Sequence, residues 1–438
     1  VWRYSPIDRL DLDAYQPATL PAPGTGHRAG TGLADPLATA FVDGVAADIA
    51  NRSALVVVHN GVPVVVDRSA LPDTVTLGPA ADDGDQSGQT GQSAQPGPGR
   101  PGEVLSGGDA LVRLNDAFCP TVLSLDVPAG VVVPAPVVVV HWCDGTGPAG
   151  AAEGADGAAP APASFPRLAV TVGRGAQAGL VEVVAGAPGD QRALVVPVTE
   201  LSVGEGGHLA YVGLQVLGTG AWHIARVAGR AGRDATLRTF TVGLGGAYDR
   251  SRTDAAAADP GAATELRSAY LGTGEQVHDV RTLQDHEAAH TTSDLLCKGA
   301  VAGTSRSVYS GLIRVRHGAV RTQAFQTNHN LVLDERAHAD SVPNLDIEEN
   351  DVRCSHASTV GPVDEDQLYY LESRGIPPDR AERLIVLGFF DDIVDRSPVP
   401  EVVGRLRREV GLRLADALAI GPGAADGSGA AEGTTTDG

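Results

Sequence analysis

The sequence predicts a mainly β fold, a solenoid of short strands, and three observations carry that prediction. First, from Leu168 to about Ser355 short apolar runs recur, at 168–172, 180–184, 194–198, 209–216, 237–242, 307–315 and 331–333. Second, small turns separate them: Gly173-Arg174-Gly175, Gly204-Glu205-Gly206-Gly207, Gly232-Arg233-Asp234, Gly272-Thr273-Gly274 and His317-Gly318-Ala319. Third, no helical period interrupts this stretch. Such a pattern fits a sandwich, a barrel or a β-helix, and the lack of a clean hairpin series favours the solenoid.

Composition agrees. Of 438 residues, 42% are hydrophobic but only 4% aromatic, so the core must be built from Val, Leu, Ile and Ala. Valine-rich cores with many glycines suit strands and tight turns. The formal net charge is −21. A nucleic-acid partner would require a positive footprint, and none is present. Lys298 is the only lysine. The four cysteines, Cys119, Cys143, Cys297 and Cys354, show no CxxC spacing, which argues against a disulfide framework. No apolar run approaches the ~20 residues of a bilayer span. Val1-Trp2-Arg3-Tyr4 lacks a signal pattern, so the expected compartment is the cytoplasm, without a membrane partner. Methionine is absent even at position 1, which leaves the position of the true N-terminus open.

Along the chain, Leu37, Phe41, Val45 and Ile49 recur at spacing four and predict a helix over 36–50. Runs 54–58 and 62–66 flank His59-Asn60-Gly61, a strong hairpin signal. Residues 79–104 hold almost nothing to bury and read as a disordered insertion. A short helix is expected over 108–117. A second, low-complexity insertion spans 145–164. Its Gly145-x-Gly147-x-x-Gly150 lacks the strand and helix that a dinucleotide site requires. After Cys354 the texture becomes helical. Asp364 caps one helix, closed by Gly375. Pro377-Pro378 opens a second with Ala381, Leu384, Ile385, Gly388 and Phe389 on one face. Ser397-Pro398 opens a third with Val402, Val403, Leu406 and Val410.

Two motifs carry chemistry. His286-Glu287-Ala288-Ala289-His290 has the HExxH form of zinc peptidases, which works only on a helix. Its flanks are strand- or turn-like, so the alternative reading is a His-rich strand pair satisfied internally. In a strand, the two histidines would stand ~13 Å apart, beyond one metal's reach. The second motif is Asp351-Val352-Arg353-Cys354-Ser355-His356. In a strand, Cys354 and His356 share one side, and thiolate plus imidazole suit iron or an iron–sulfur cluster. Two ligands do not close a cluster, so others would have to come from elsewhere, another chain included. Taken alone, a Cys and a His two apart are more often packing residues, with Cys354 acting as a small hydrophobe.

Further segments resemble the SufB/SufD family of iron–sulfur cluster assembly scaffolds. They are Gln326-Thr327-Asn328-His329-Asn330-Leu331-Val332-Leu333, Ala337-His338-Ala339-Asp340-Ser341-Val342-Pro343, Cys354-Ser355-His356-Ala357-Ser358-Thr359-Val360-Gly361 and 364–376. Val242-Gly243-Leu244-Gly245-Gly246, the stretch 290–299 and Trp2-Arg3-Tyr4-Ser5-Pro6 are also similar. The SufD branch is favoured, because Ala357 stands where the SufB pattern has a glutamate. No cysteine here matches the one that receives sulfur in SufB.

The resemblance implies a right-handed parallel β-helix core flanked by N- and C-terminal helical regions. The expected division is an N-terminal region over 1–118, the core over 119–358, a C-terminal helical domain over 359–420 and a flexible tail over 421–438. It further implies a non-catalytic subunit that pairs with a SufB-type chain and binds the SufC ATPase through its C-terminal helices. A transient iron–sulfur cluster would form at the interface with SufB, with His356 as a ligand and Cys354 beside it in a less certain role. Cluster type, stoichiometry, the binding of a flavin and the roles of Cys119, Cys143 and Cys297 stay open. The alternatives are a zinc metallopeptidase and a SufB-like paralogue.

Overall fold

A computed structural model describes residues 5–18, 33, 35–80, 104–105, 109–144 and 160–419. The Trp2-Arg3-Tyr4 stretch, most of both insertions, the glycine motif at 145–150 and the tail lie outside the described residues.

The strands form two long sheets, one of twelve strands and one of ten. From Val198–Val203 onward, strands alternate between the sheets, and each pairs in parallel with the strand one turn earlier. In the twelve-stranded sheet Tyr248–Ala257, Val277–His286, Arg306–Val315 and His338–Ile347 follow one another. In the ten-stranded sheet the sequence is Ala263–Gly272, Thr292–Val301, Gln323–Val332 and Arg353–Gly361. This is a parallel β-solenoid. Because side chains alternate across a strand, in-register stacking aligns inward residues into columns. Val, Leu, Ala and a few Tyr fill the space between the sheets.

Corners are stacked as strictly as strands. Gly175, Gly206, Asp234, Gly261, His290 and Arg321 occupy equivalent corner positions, all at positive φ. Glycine adopts this left-handed geometry without strain. His290 and Arg321 hold it with ladder bonds, His290 N–H to the Val320 carbonyl at 2.8 Å and Arg321 N–H to that of Asp351 at 2.5 Å.

The two ends differ. At the start, Ala54–His59 and Val62–Asp67 form the expected hairpin, with Asn60 and Gly61 at positive φ. Thr76–Pro79 also runs antiparallel, against Val122–Val127. At the far end, His338–Ile347 and Arg353–Gly361 are the edge strands of their sheets. Ala161–Ser164, inside the stretch read as an insertion, is a buried strand.

Helices cover the outer faces. The N-terminal segment and α2 (Ala110–Phe118) pack on the twelve-stranded sheet through Ile7, Leu10, Tyr15, Leu111 and Leu114. The ten-stranded sheet carries α1 (Pro36–Asp48), α4 (Pro378–Val394) and α5 (Val403–Ala419). Asp35, Asp109 and Asp364 accept backbone N–H groups at their helix starts, as N-caps do. Two helix readings need correction. The buried stripe of α4 is Ala381, Val386, Phe390, Ile393 and Val394, because α4 packs against both the sheet and α5, leaving Leu384 exposed. The third helix starts later than Ser397-Pro398, after a 3-10 turn at Pro400–Val402. The short helix α3 (Glu365–Ser373) buries no residue.

Candidate functional site

The HExxH motif is not a metal site. His286 ends a strand and His290 sits in the corner turn, so the helix that the chemistry needs is absent. Both ring nitrogens of His286 are engaged, Nδ1 with Thr291 Oγ1 at 2.7 Å and Nε2 with Ser293 Oγ at 2.8 Å. Burial pushes its pKa down to about 4, against a smaller opposing pull from Asp285. Glu287 pairs with Arg230 and Arg316, each at 2.8 Å. Among the described residues, no three His, Cys, Asp or Glu side chains converge to hold a metal ion.

The last turn is different. On Arg353–Gly361 the register sets Cys354 beside Ala324, His356 beside Gln326 and Ser358 beside Asn328. Ala324, Gln326 and Asn328 are buried between the sheets. Cys354, His356 and Ser358 therefore continue interior columns, with no further turn above them among the described residues. Cys354 is half-buried against the cluster of Ile313, Val315, Ala319 and Ala324, and that burial raises its thiol pKa. His356 is exposed. Opposite, Leu345 and Ile347 continue the columns of Ile313 and Val315 and stand exposed, as does Val360. Ser358 bonds Ser341 at 2.7 Å, which ties the two edge strands together, and Ser341 donates to Asn328 at 2.8 Å. The structure thus brings Cys354 and His356 together on the uncovered end of the core. They supply two ligands, where a cluster commonly takes four.

Sequence reading missed the polar interior. Asp249 accepts from His223 at 2.7 Å and from His278 at 3.1 Å. Burial alone would raise its pKa, but these two bonds outweigh it and hold the carboxyl well below the usual range. Glu182 is held down likewise, its burial outweighed by bonds from His141, Tyr211 and Thr199. Further on, Tyr270 bonds Ser307 and Asn330, and Asn330 bonds Asn328. One signal was available: glycines within strands. A Cβ at Gly243 would strike the Asp249 carboxylate, and one at Gly299 would strike the Tyr270 ring. These glycines make room for the polar columns.

The remaining thiols do not share the site. Cys143 and Cys297 are buried, and burial pushes both pKa values up to about 12. Cys119 is half-buried and likewise raised, chiefly by burial.

The family model for the SUF system FeS cluster assembly SufBD core domain matches residues 154–389. This chain belongs to the SufBD family. The matched stretch of this SufBD chain runs from the solenoid into α4. It is similar to an iron–sulfur cluster assembly SufBD family protein of Mycobacterium bovis, 41% identical over 192 residues, covering 42% of this chain and 48% of that protein. SufD of Escherichia coli is 30% identical over 214 residues, covering 49% and 51%. SufD of Bacillus subtilis is 31% identical over 211 residues, covering 48% of each. The chain spans about half the length of the curated relatives it matches.

Proposed function

We propose that this chain is a SufD-like, non-catalytic scaffold that completes an iron–sulfur cluster site with a SufB-type partner. The observation that carries the reading is the uncovered end of the solenoid, where Cys354 and His356 stand among exposed Leu345, Ile347 and Val360. A core left open on edge strands is a template for another chain's strands. A partner that covers it buries the apolar side chains and supplies the missing ligands. In this reading His356 is a cluster ligand, Cys354 lies beside it, and the cluster is transient cargo at the interface with the SufB-type chain. Whether a flavin joins it is left to direct analysis of the complex. The compartment is the cytoplasm, in keeping with four free thiols. Residues 119–358 serve as the scaffold core and 359–420 as the docking segment for a SufC ATPase.

Two features support the docking role. The helices α4 and α5 lie on the face of the ten-stranded sheet, so their role is not to cap the open end. The helix α3 buries nothing and presents Tyr369 at 74% and Tyr370 at 57% exposure. These tyrosines, and not Phe389-Phe390, are the aromatic anchor in this reading, because Phe390 is buried and Phe389 lies under Lys298.

The test is the complex co-purified with SufB and SufC. His356→Ala should leave folding and assembly intact and lower bound iron and sulfide. Normal iron and sulfide content in the variant complex refutes the ligand role. Loss of SufC from a chain truncated after Thr359, with the SufB-type partner retained, supports docking through α3–α5.

A further inference from the structure

We propose that Lys298 is a latch that ties the position of α4 to the position of the last strand, Arg353–Gly361. Lys298 lies on the outer face of the ten-stranded sheet and is almost fully buried. Its Nζ donates to the Phe389 carbonyl at 3.0 Å, pairs with Asp392 at 2.6 Å and stands 4.6 Å from the centroid of the Phe389 ring. Carbonyl, carboxylate and ring all belong to α4. A compact ammonium fits three convergent partners in a way that a planar guanidinium fork does not. That accounts for a lysine here in a chain whose other such cations are all arginine. A buried ammonium stripped of its partners is strongly unfavourable, so α4 is held where it lies.

The latch reaches the edge through the register. Lys298 is beside His329, and His329 is beside Thr359. His329 Nδ1 and Thr359 Oγ1 are 2.6 Å apart. Burial first, and then the Lys298 ammonium, lower the His329 pKa, with Asp392 opposing. Asp392, Lys298, His329 and Thr359 thus stand in one row from α4 to the edge strand, with Lys298 and His329 joined through the strand register. Thr359 is on the strand whose other face carries Cys354 and His356. The inference rests on the proposed function only for the importance of those two residues; the latch is a property of the chain itself.

The only ε-amine in the chain gives a direct probe. An amine-reactive ester should acylate Lys298 in the intact chain at least ~10-fold more slowly than an exposed lysine, because reaction requires local opening. Asp392→Asn should raise that rate several-fold. It should also raise amide hydrogen exchange both in α4 and in 353–361, while strand Arg306–Val315 stays protected. In a Thr359→Val background, Asp392→Asn should free α4 with no further rise at the edge. Fast acylation of the unaltered chain, or a freed α4 with an unchanged edge strand, overturns the proposal. No cluster or partner is present in this assay, so its failure is separable from failure of the scaffold reading. If Asp392→Asn does not fold, Lys298→Met, read by exchange alone, tests the same coupling.

Discussion

The two ends of the solenoid are built from the same strand chemistry but finished differently. The first is closed by antiparallel strands, Val62–Asp67 and Thr76–Pro79, and backed by α1, with Phe41 packed 5.8 Å from Trp142. The second ends on two parallel edges with Leu345, Ile347 and Val360 uncovered. A solenoid turn cannot bury its own interior without a neighbour, so terminal turns require covers. One end carries its cover within the chain, and the other has none among the described residues. Candidate ligands occur on the uncovered turn.

Substitutions at the closed end should therefore act on stability. Trp142→Ala removes a buried aromatic and should destabilise the chain by about 3–5 kcal/mol in chemical denaturation. A smaller loss would mean that this end is as loosely finished as the other.

Acid probes the region between the ends. His286 lies two strands in from the edge of the twelve-stranded sheet. Its folded pKa of about 4 is below the ordinary 6.5. Above pH 6.5 both states are neutral there and nothing is lost. As pH falls from 6.5 to 4, the unfolded chain takes up a proton that the folded chain refuses, and stability drops. Below 4 the loss levels off, at an order-of-magnitude total of about 3 kcal/mol. His286→Gln should flatten this limb of the stability profile. If the slope persists unchanged, the imidazole is hydrated and the open end is loose well beyond its last turn.

At the open end the effect should move from stability to binding. Ile347→Asp should change the stability of the free chain by no more than about 0.5 kcal/mol, since the side chain is already exposed. The same substitution should weaken binding of a SufB-type partner by at least ~10-fold, read by titration, because it puts a charge at an apolar contact. Unchanged affinity would place the partner elsewhere.

Much of this was legible in the sequence. Glycine corners, β-branched runs and the Asn60-Gly61 hairpin encode local geometry, and local geometry builds the solenoid. Cys354 and His356 could be put on one face by strand parity alone. What parity could not show is that this face is the uncovered end of the core, because that depends on where the last turn stops. The interior acids and histidines escaped for a related reason. Asp249 is recognisable as an interior group only when His223 and His278 are stacked beside it, and those pairings join residues a full turn apart. On α4, a helical stripe was right at Ala381 but missed Val386, Phe390, Ile393 and Val394, because two different surfaces press on that helix.

The unbroken register has a further consequence at the open edge. Each turn takes its pitch and phase from the one beneath, so the final rim behaves like the last thread of a screw. A partner that continues both sheets must arrive with the same pitch and in phase with Asp340–Ser341 on one strand and Ser355–His356 on the other. Selection among partners is then a matter of thread gauge as well as of side-chain chemistry. A chain out of phase by one residue would present its polar face to Leu345 and Ile347, and its apolar face to water.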